Sequence, residues 1–572
     1  MIGNDQTGAL LKDILNNNTK TPTNEVEIQT YGDTAWVEKI YLPDGASVPA
    51  GSKIQITCKS RREVYVAYPN MQTGGWRIQY VKTEEVRIFI LSPYNNAWVV
   101  LGDINHNEYV FGNNIYSATL KPEWVKPGMT LEFAASNGAR GVLEAKVGGV
   151  TELIITTLDG GFLTEPQSGF HFRDDPTTNQ EYFETIMATR LIAVQYETIH
   201  LTEIMLPTGI FYNNISSDEG SWNVGDMIEH GRILLSHGIE LANYGISSSL
   251  AQSESPHPFT CAFLSAHNIM ALYKNEKVNH GWYWKNNNGI VTLWRDGSTG
   301  HQFSEVVGSN FGLGDNVGGF AGSVHRPANE INSAWGWDSR NNLLIPNFHY
   351  SDTGENQCLA EQCQSPFMGK FKYYTDVMAG THIQLGSNRY PIYTPHVMKK
   401  IQEFLESKAI WDDSSSTGFR KYDASSGEMK EFVNEANGNK APRLHRVPVT
   451  TIVGYYEPDS GRGFKSYVYP ALHGALGFVY DDDGASGAGG CELVVKTKKA
   501  GILVYNLDTS VDPIGINKFH VNVATADEPY EASLFCQKKL LTMRALNGPR
   551  EDQPALTYTV VGYSEDKKTV TS

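Results

Sequence analysis

From Val26 onward, short apolar runs alternate with clusters of Gly, Pro, Asn and Asp. VEIQTYG, AWVEKIYL, KIQITCK, EVYVAYP, WRIQYV, VRIFIL and AWVVLGD follow one another at the spacing of strands joined by turns. A second group, TLEFAAS, GVLEAKVG and ELIITTLD, carries the β texture to about residue 160, which predicts one or two small β-sandwiches over 25–160. Residues 1–24 are polar, with one short helical pattern around Leu10–Ile14, and read as a tail or linker.

Between 161 and 440 the texture is mixed. QEYFETIM and GDMIEHGRILLSHGIELAN have helical periodicity, IAVQYETIHLTEIMLPTG reads as strand, and PHVMKKIQEFLESKAI is a strongly amphipathic helix. From about 441 to 572 β texture returns in VTTIVGYYEP, SYVYPALHGALGFVYDD, CELVVKTK, GILVYNL, KFHVNV and ALTYTVVGY. The chain therefore reads as multidomain α+β, an α/β core flanked by N-terminal and C-terminal β-sandwich domains.

Charge narrows the partners. With 63 acidic against 47 basic side chains in 572 residues, the formal charge of −16 opposes phosphate backbones, so nucleic acid is not expected. No run of about 18 apolar residues occurs, so no transmembrane helix is expected. The start, MIGNDQTGALLKDILNNNTK, has no basic stretch followed by an apolar one, so a signal peptide is expected to be either absent or already removed. Six cysteines give the argument for compartment. Cys358 and Cys363 share a polar loop, and Cys491 and Cys536 fall in two strand-like runs; both spacings suit disulfides and hence an oxidising, extracellular setting. Cys58 and Cys261 sit in apolar runs and read as buried thiols.

The segment 301–348 holds the motif with the most chemical content. Its Gly308-Ser309-Asn310-Phe311-Gly312-Leu313-Gly314 has the glycine spacing of the zinc helix HExxHxxGxxH, in which two His at i and i+4 and a third beyond a glycine turn hold the metal. With Gly312 as the turn glycine, Glu305, Ser309 and Asp315 take the three ligand positions and Val306 the general-base position. Two carboxylates and a hydroxyl are a poor zinc set, and Val306 takes no proton from water. A frame shifted by one residue fits worse, with Ser304, Gly308 and Gly314 as ligands. His301, His325 and His382 are nearby imidazoles, and lone histidines are more often structural.

The flanks SVHRPANEINSAWGWD, LIPNF, QCLAEQCQSPF, SSSTGF, VPVTTIVGYY and INKFHVNV make the chain resemble the secreted zinc metalloendopeptidases typified by StcE, TagA and dictomallein, which cut mucin-like O-glycosylated proteins. The likeness runs from about residue 26 to 561. It implies a metzincin-like core, with a Met-turn at Val377-Met378-Ala379-Gly380 that assigns Met378 to the packing beneath the metal. It also implies a glycan cleft near Trp222 and Asn223, with Asn316 standing where the family has a Tyr. Trp335 and Trp337 read as braces of a loop against the core.

Two expectations follow. The degenerate zinc positions point to a catalytically inactive homologue, a pseudopeptidase with no cofactor, acting as a secreted binding protein, virulence factor or toxin component that recognises a glycoprotein or carbohydrate. The alternative is an active, zinc-dependent secreted metalloendopeptidase that cleaves O-glycosylated proteins.

Overall fold

In a computed structural model, the structure describes residues 7–17, 25–30, 39–49, 52–59, 63–70, 75–81, 86–91, 98–101, 120, 124–166, 168–206, 208–212, 235–250, 262–273, 276–279, 290–293, 299–327, 330, 333–338, 343–345, 347–350, 353–369, 371–380, 389–485, 489–513 and 515–562. The chain divides into two compact units, 1–120 with 316–396 and 121–315 with 397–572.

In the first unit the alternating N-terminal runs form two sheets. One orders Glu25–Thr30, Lys53–Cys58, Val86–Leu91 and Trp98–Leu101; the other orders Lys39–Tyr41, Val64–Asn70 and Gly75–Val81. Their inward residues, among them Ile54, Ile56, Val64, Val66, Phe89 and the thiol Cys58, close one core. The segment 1–24, expected as a tail, contributes to that core. Thr7–Asn17 is a helix whose Leu11 and Leu15, one turn apart, are 3% and 1% exposed, so the i,i+4 pair makes it part of the domain. The same unit holds the segment 316–396, where the disulfide Cys358–Cys363 clips the hairpin Gln357–Leu359/Gln362–Gln364.

The second unit is built on a mixed sheet. Glu152–Phe162 lies in its middle, parallel to Arg190–Gln195 on one side and to Ala262–Tyr273 on the other. All eleven of its residues are buried, including Glu152, Thr156, Thr157 and Asp159, so its sequence shows no alternation of apolar and polar faces. The boundary expected near 160 thus falls inside a strand of this central sheet, because a doubly covered strand carries no alternation to distinguish its domain. Tyr558–Gly562 closes the opposite edge, antiparallel to Arg190–Gln195.

The C-terminal region forms a sandwich. One sheet contains Leu444–Tyr456, Leu472–Val479 and Asn517–Ala524; the other orders Ile502–Leu507, Cys491–Thr497, Pro529–Cys536 and Lys539–Ala545. Ile452, Leu493, Val495, Phe519, Val521 and Leu534 fill the space between them. On its other face the first sheet packs Val449, Val453 and Phe478 into the core shared with Ile154, Ile192 and Ile239. Two covered faces make 449–456 and 517–524 continuously buried. Cys491 and Cys536 are directly opposite in the register and form the second disulfide.

Candidate functional site

The site helix is Gly300–Asn310, in the second unit. Its inner face is apolar: Phe303 is 0% exposed, stacked on Phe172 at 4.3 Å and edge-on to Tyr182 at 5.0 Å. Val306 and Val307 are also buried, and Phe311 beyond the C-terminus meets Phe404 at 5.2 Å. The helix ends where the glycine spacing predicts. Gly312 has φ +75°, the left-handed conformation that ends helices, and its N–H bonds to the carbonyl of Ser309 at 3.1 Å.

Glu305 and Ser309 lie one turn apart on this helix. Ser309 Oγ donates to the backbone carbonyl of Glu305 at 3.0 Å, and Glu305 Oε2 lies 3.7 Å from His301 Nε2. Val306 is 2% exposed and packs in the interior. Asp315, past the turn, is exposed. Glu305 and Ser309 share the helix and Asp315 follows its turn, so the donors at these positions are two carboxylates and a hydroxyl already used within the helix.

Asn316 opens the neighbouring segment of the first unit, with φ +51°, and its N–H bonds to the carbonyl of Met378 at 3.1 Å. Met378 is 2% exposed within the one-turn helix Val377–Ala379. Asp376 caps that turn. Its carboxylate accepts from Met378 N at 2.8 Å and Thr394 N at 2.6 Å, while its own N–H bonds to Ser323 O at 2.7 Å. Burial pushes the Asp376 carboxyl up to about 6, against the two backbone donors that pull it down. The sequence reading missed Asp376 and Thr394; an Asp two residues before the turn methionine is the N-cap signal that could have found the first.

The two other histidines singled out in the sequence differ in how far they can be described. His325 is buried, with Nε2 on the carbonyl of Ile392 at 3.2 Å, and burial lowers its pKa to about 4. His382, Trp222, Asn223 and Cys261 lie outside the described residues. Trp335 packs edge-on against Phe348 at 5.6 Å, as a loop brace should. A pair resembling nucleophile and base, Ser236 Oγ and His267 Nε2 at 2.6 Å, is sealed at 0% exposure for both residues.

The chain matches the Peptidase M66 family over residues 105–410, the ToxR activated gene A lipoprotein domain over 440–536, and the β-sandwich domain of metalloprotease StcE over 23–102. It is 33% identical to the metalloprotease StcE of Escherichia coli O157:H7, across 98% of this chain and 71% of that protein. The ToxR-activated gene A lipoprotein of Vibrio cholerae is 32% identical, across 66% of this chain and 37% of its own length. The crystal structure of StcE(132-251) from enterohemorrhagic E. coli is 24% identical, covering 18% of this chain and 79% of that one, with a TM-score of 0.14. The three family matches and the likeness to metalloprotease StcE define a metalloprotease-type chain of sandwich, peptidase and TagA-type modules. It belongs to the peptidase M66 family.

Two expectations are thereby corrected. A peptidase M66 domain, with 33% identity to a metalloprotease along 98% of the chain, points to a protease and not to a non-enzyme. The expectation of no cofactor falls with it, since zinc is the group such a family implies. Both expectations rest on four side chains, whereas class is carried by the framework of the whole chain. Whether those side chains suit zinc is a matter of donor chemistry. Glu305 and Asp315 offer oxygen, and the Ser309 hydroxyl already bonds to a carbonyl, so the set does not match a three-imidazole zinc site.

Proposed function

We propose that the chain is an exported M66-family peptidase directed at O-glycosylated, mucin-like proteins. The observation that carries this reading is the extent of the likeness to StcE, 98% of this chain, spanning all three modules and not the site helix alone. The metzincin-like character of the core belongs to the same proposal. It is supported by the site helix, the Gly312 turn and the one-turn helix at Met378 occurring in the order that the resemblance implies. Export is supported by the disulfides Cys358–Cys363 and Cys491–Cys536, which suit an oxidising compartment. Among the described residues no helix is long and apolar enough to cross a membrane.

In this reading the chain's own residues have separable roles. Phe303, Val306 and Val307 anchor the helix and exclude water from its inner face. Gly312 redirects the chain so that Asp315 emerges beside solvent. Asp376 and the Met378 carbonyl fix the segment that begins at Asn316, and Trp222 and Asn223 are assigned to the glycan cleft.

The test is incubation of the purified chain with a mucin-type glycoprotein and with the same polypeptide lacking glycans, with added zinc and with a chelator. Fragments from the glycosylated substrate alone are the expected result, and the zinc and chelator arms read whether that cleavage needs a metal. An intact substrate that is nevertheless retained by immobilised chain would overturn the peptidase half and leave recognition. An intact, unretained substrate would overturn both.

A further inference from the structure

The hairpin Ile204–Met205/Phe211–Tyr212 is fastened from beneath by the C-terminal region. The Tyr469 hydroxyl accepts from Met205 N at 2.6 Å and donates to Met205 O at 2.9 Å. The ring of Phe464 lies on the turn at Gly209, where φ is +82° and an added Cβ would stand 2.4 Å from the ring, so only glycine lets the two meet. Phe211 meets Tyr467 edge-on at 5.6 Å. The tip is thus held in place, yet Ile210 and Phe211 are 46% and 39% exposed. A fixed apolar tip presented to solvent is the kind of surface that marks a recognition site.

Its polar surroundings indicate the ligand class. Tyr467 donates its hydroxyl to Glu203 Oε2 at 2.8 Å and accepts from Arg544 Nη2 at 2.8 Å. The guanidinium lies 3.9 Å from the Glu203 carboxylate and 5.2 Å from the centre of the Tyr467 ring. Carboxylate and guanidinium cancel in net charge, so an ionic ligand gains no net attraction. Both still reach solvent, one as acceptor and one as donor, beside an aromatic ring. A ring face for C–H groups, with a donor and an acceptor for hydroxyls, matches a neutral sugar.

We propose that Ile210, Phe211, Glu203 and Arg544 form a binding site for a neutral saccharide at the junction of the peptidase and TagA-type modules. The aromatic tip is the platform and the two polar side chains take hydroxyl groups. The test is saturation-transfer NMR and titration of the full chain with lacto-N-tetraose, a neutral tetrasaccharide, against an unglycosylated Ser/Thr/Pro peptide. Saturation transfer to the ring C–H protons of the sugar, reduced in F211A, is expected. Affinity should fall about tenfold in F211A, in proportion to the lost stacking, and several-fold in E203Q, with thermal unfolding unchanged in both. Equal affinity in wild type and F211A, no binding at about 20 mM sugar, or displacement of the sugar by the peptide would each overturn the proposal. The measurement reads binding alone, so its outcome is distinguishable from failure of the peptidase reading.

Discussion

Replacing Asp376 by Asn isolates the charge under the turn at Met378. The carboxylate is buried and holds two backbone N–H groups, yet burial raises its pKa from 3.8 to about 6. A raised folded-state pKa means that the fold prefers the proton. The stabilising contribution is therefore complete below the unfolded value near 3.8 and is lost as pH rises through 6. A shift of about two units corresponds to ~3 kcal/mol, of which ~2 kcal/mol is lost between about pH 4.5 and 7.5. Asn keeps the shape, carries no titrating proton and gives up one acceptor, a loss of about 1–3 kcal/mol. D376N should then be clearly less stable than wild type near pH 4.5 and close to it near pH 7.5. Hydrogen exchange at the amides of Met378 and Thr394 reads this directly, as protection factors corrected for intrinsic rates. The wild-type-to-variant ratio should shrink about 30-fold between the two pH values. A ratio that stays constant would show that Asp376 does not titrate in this range and that the burial argument is wrong.

Three further outcomes are expected. F303A should lose about 3–5 kcal/mol, because it empties a site at 0% exposure between Phe172 and Tyr182; the urea midpoint measures it, and a shift under 1 kcal/mol would contradict the packing. G312A should cost roughly 1–2 kcal/mol from the left-handed backbone alone, read as a lower melting temperature. A mild thiol reductant followed by alkylation and mass spectrometry should label Cys358 and Cys363, which are exposed, well before Cys491 and Cys536, which are 2% and 4% exposed; simultaneous labelling would refute the difference in access.

Much of the architecture could be read from the residues because the relevant forces are local. Val397, Ile401 and Leu405, spaced four apart, are the buried stripe of Pro395–Glu406 as its amphipathic pattern predicts. The glycine spacing also placed the end of the site helix at Gly312 correctly. Strand partners were not legible: nothing in ELIITTLD says that it lies between Arg190–Gln195 and Ala262–Tyr273, since a doubly buried strand has no polar face to mark its register. The network around Asp376 and the fastening of Met205 by Tyr469 depend on groups 18 and 264 positions apart, which meet only through the fold. Class was misjudged for the opposite reason, since four conspicuous side chains outweighed a framework whose signal is spread thinly.

The antiparallel strand Tyr558–Gly562 has a consequence for how the molecule is made. It completes the edge of the central sheet beside Arg190–Gln195, and Thr557 N reaches Gln195 Oε1 across a separation of 362 residues. At roughly 5–20 residues per second, an emerging chain leaves that edge uncovered for about 20–70 s. During this interval a row of unpaired amides faces any other nascent chain. The assembly of the central sheet is thus timed by its last strand, and the entire C-terminal sandwich must be synthesised before that sheet is sealed.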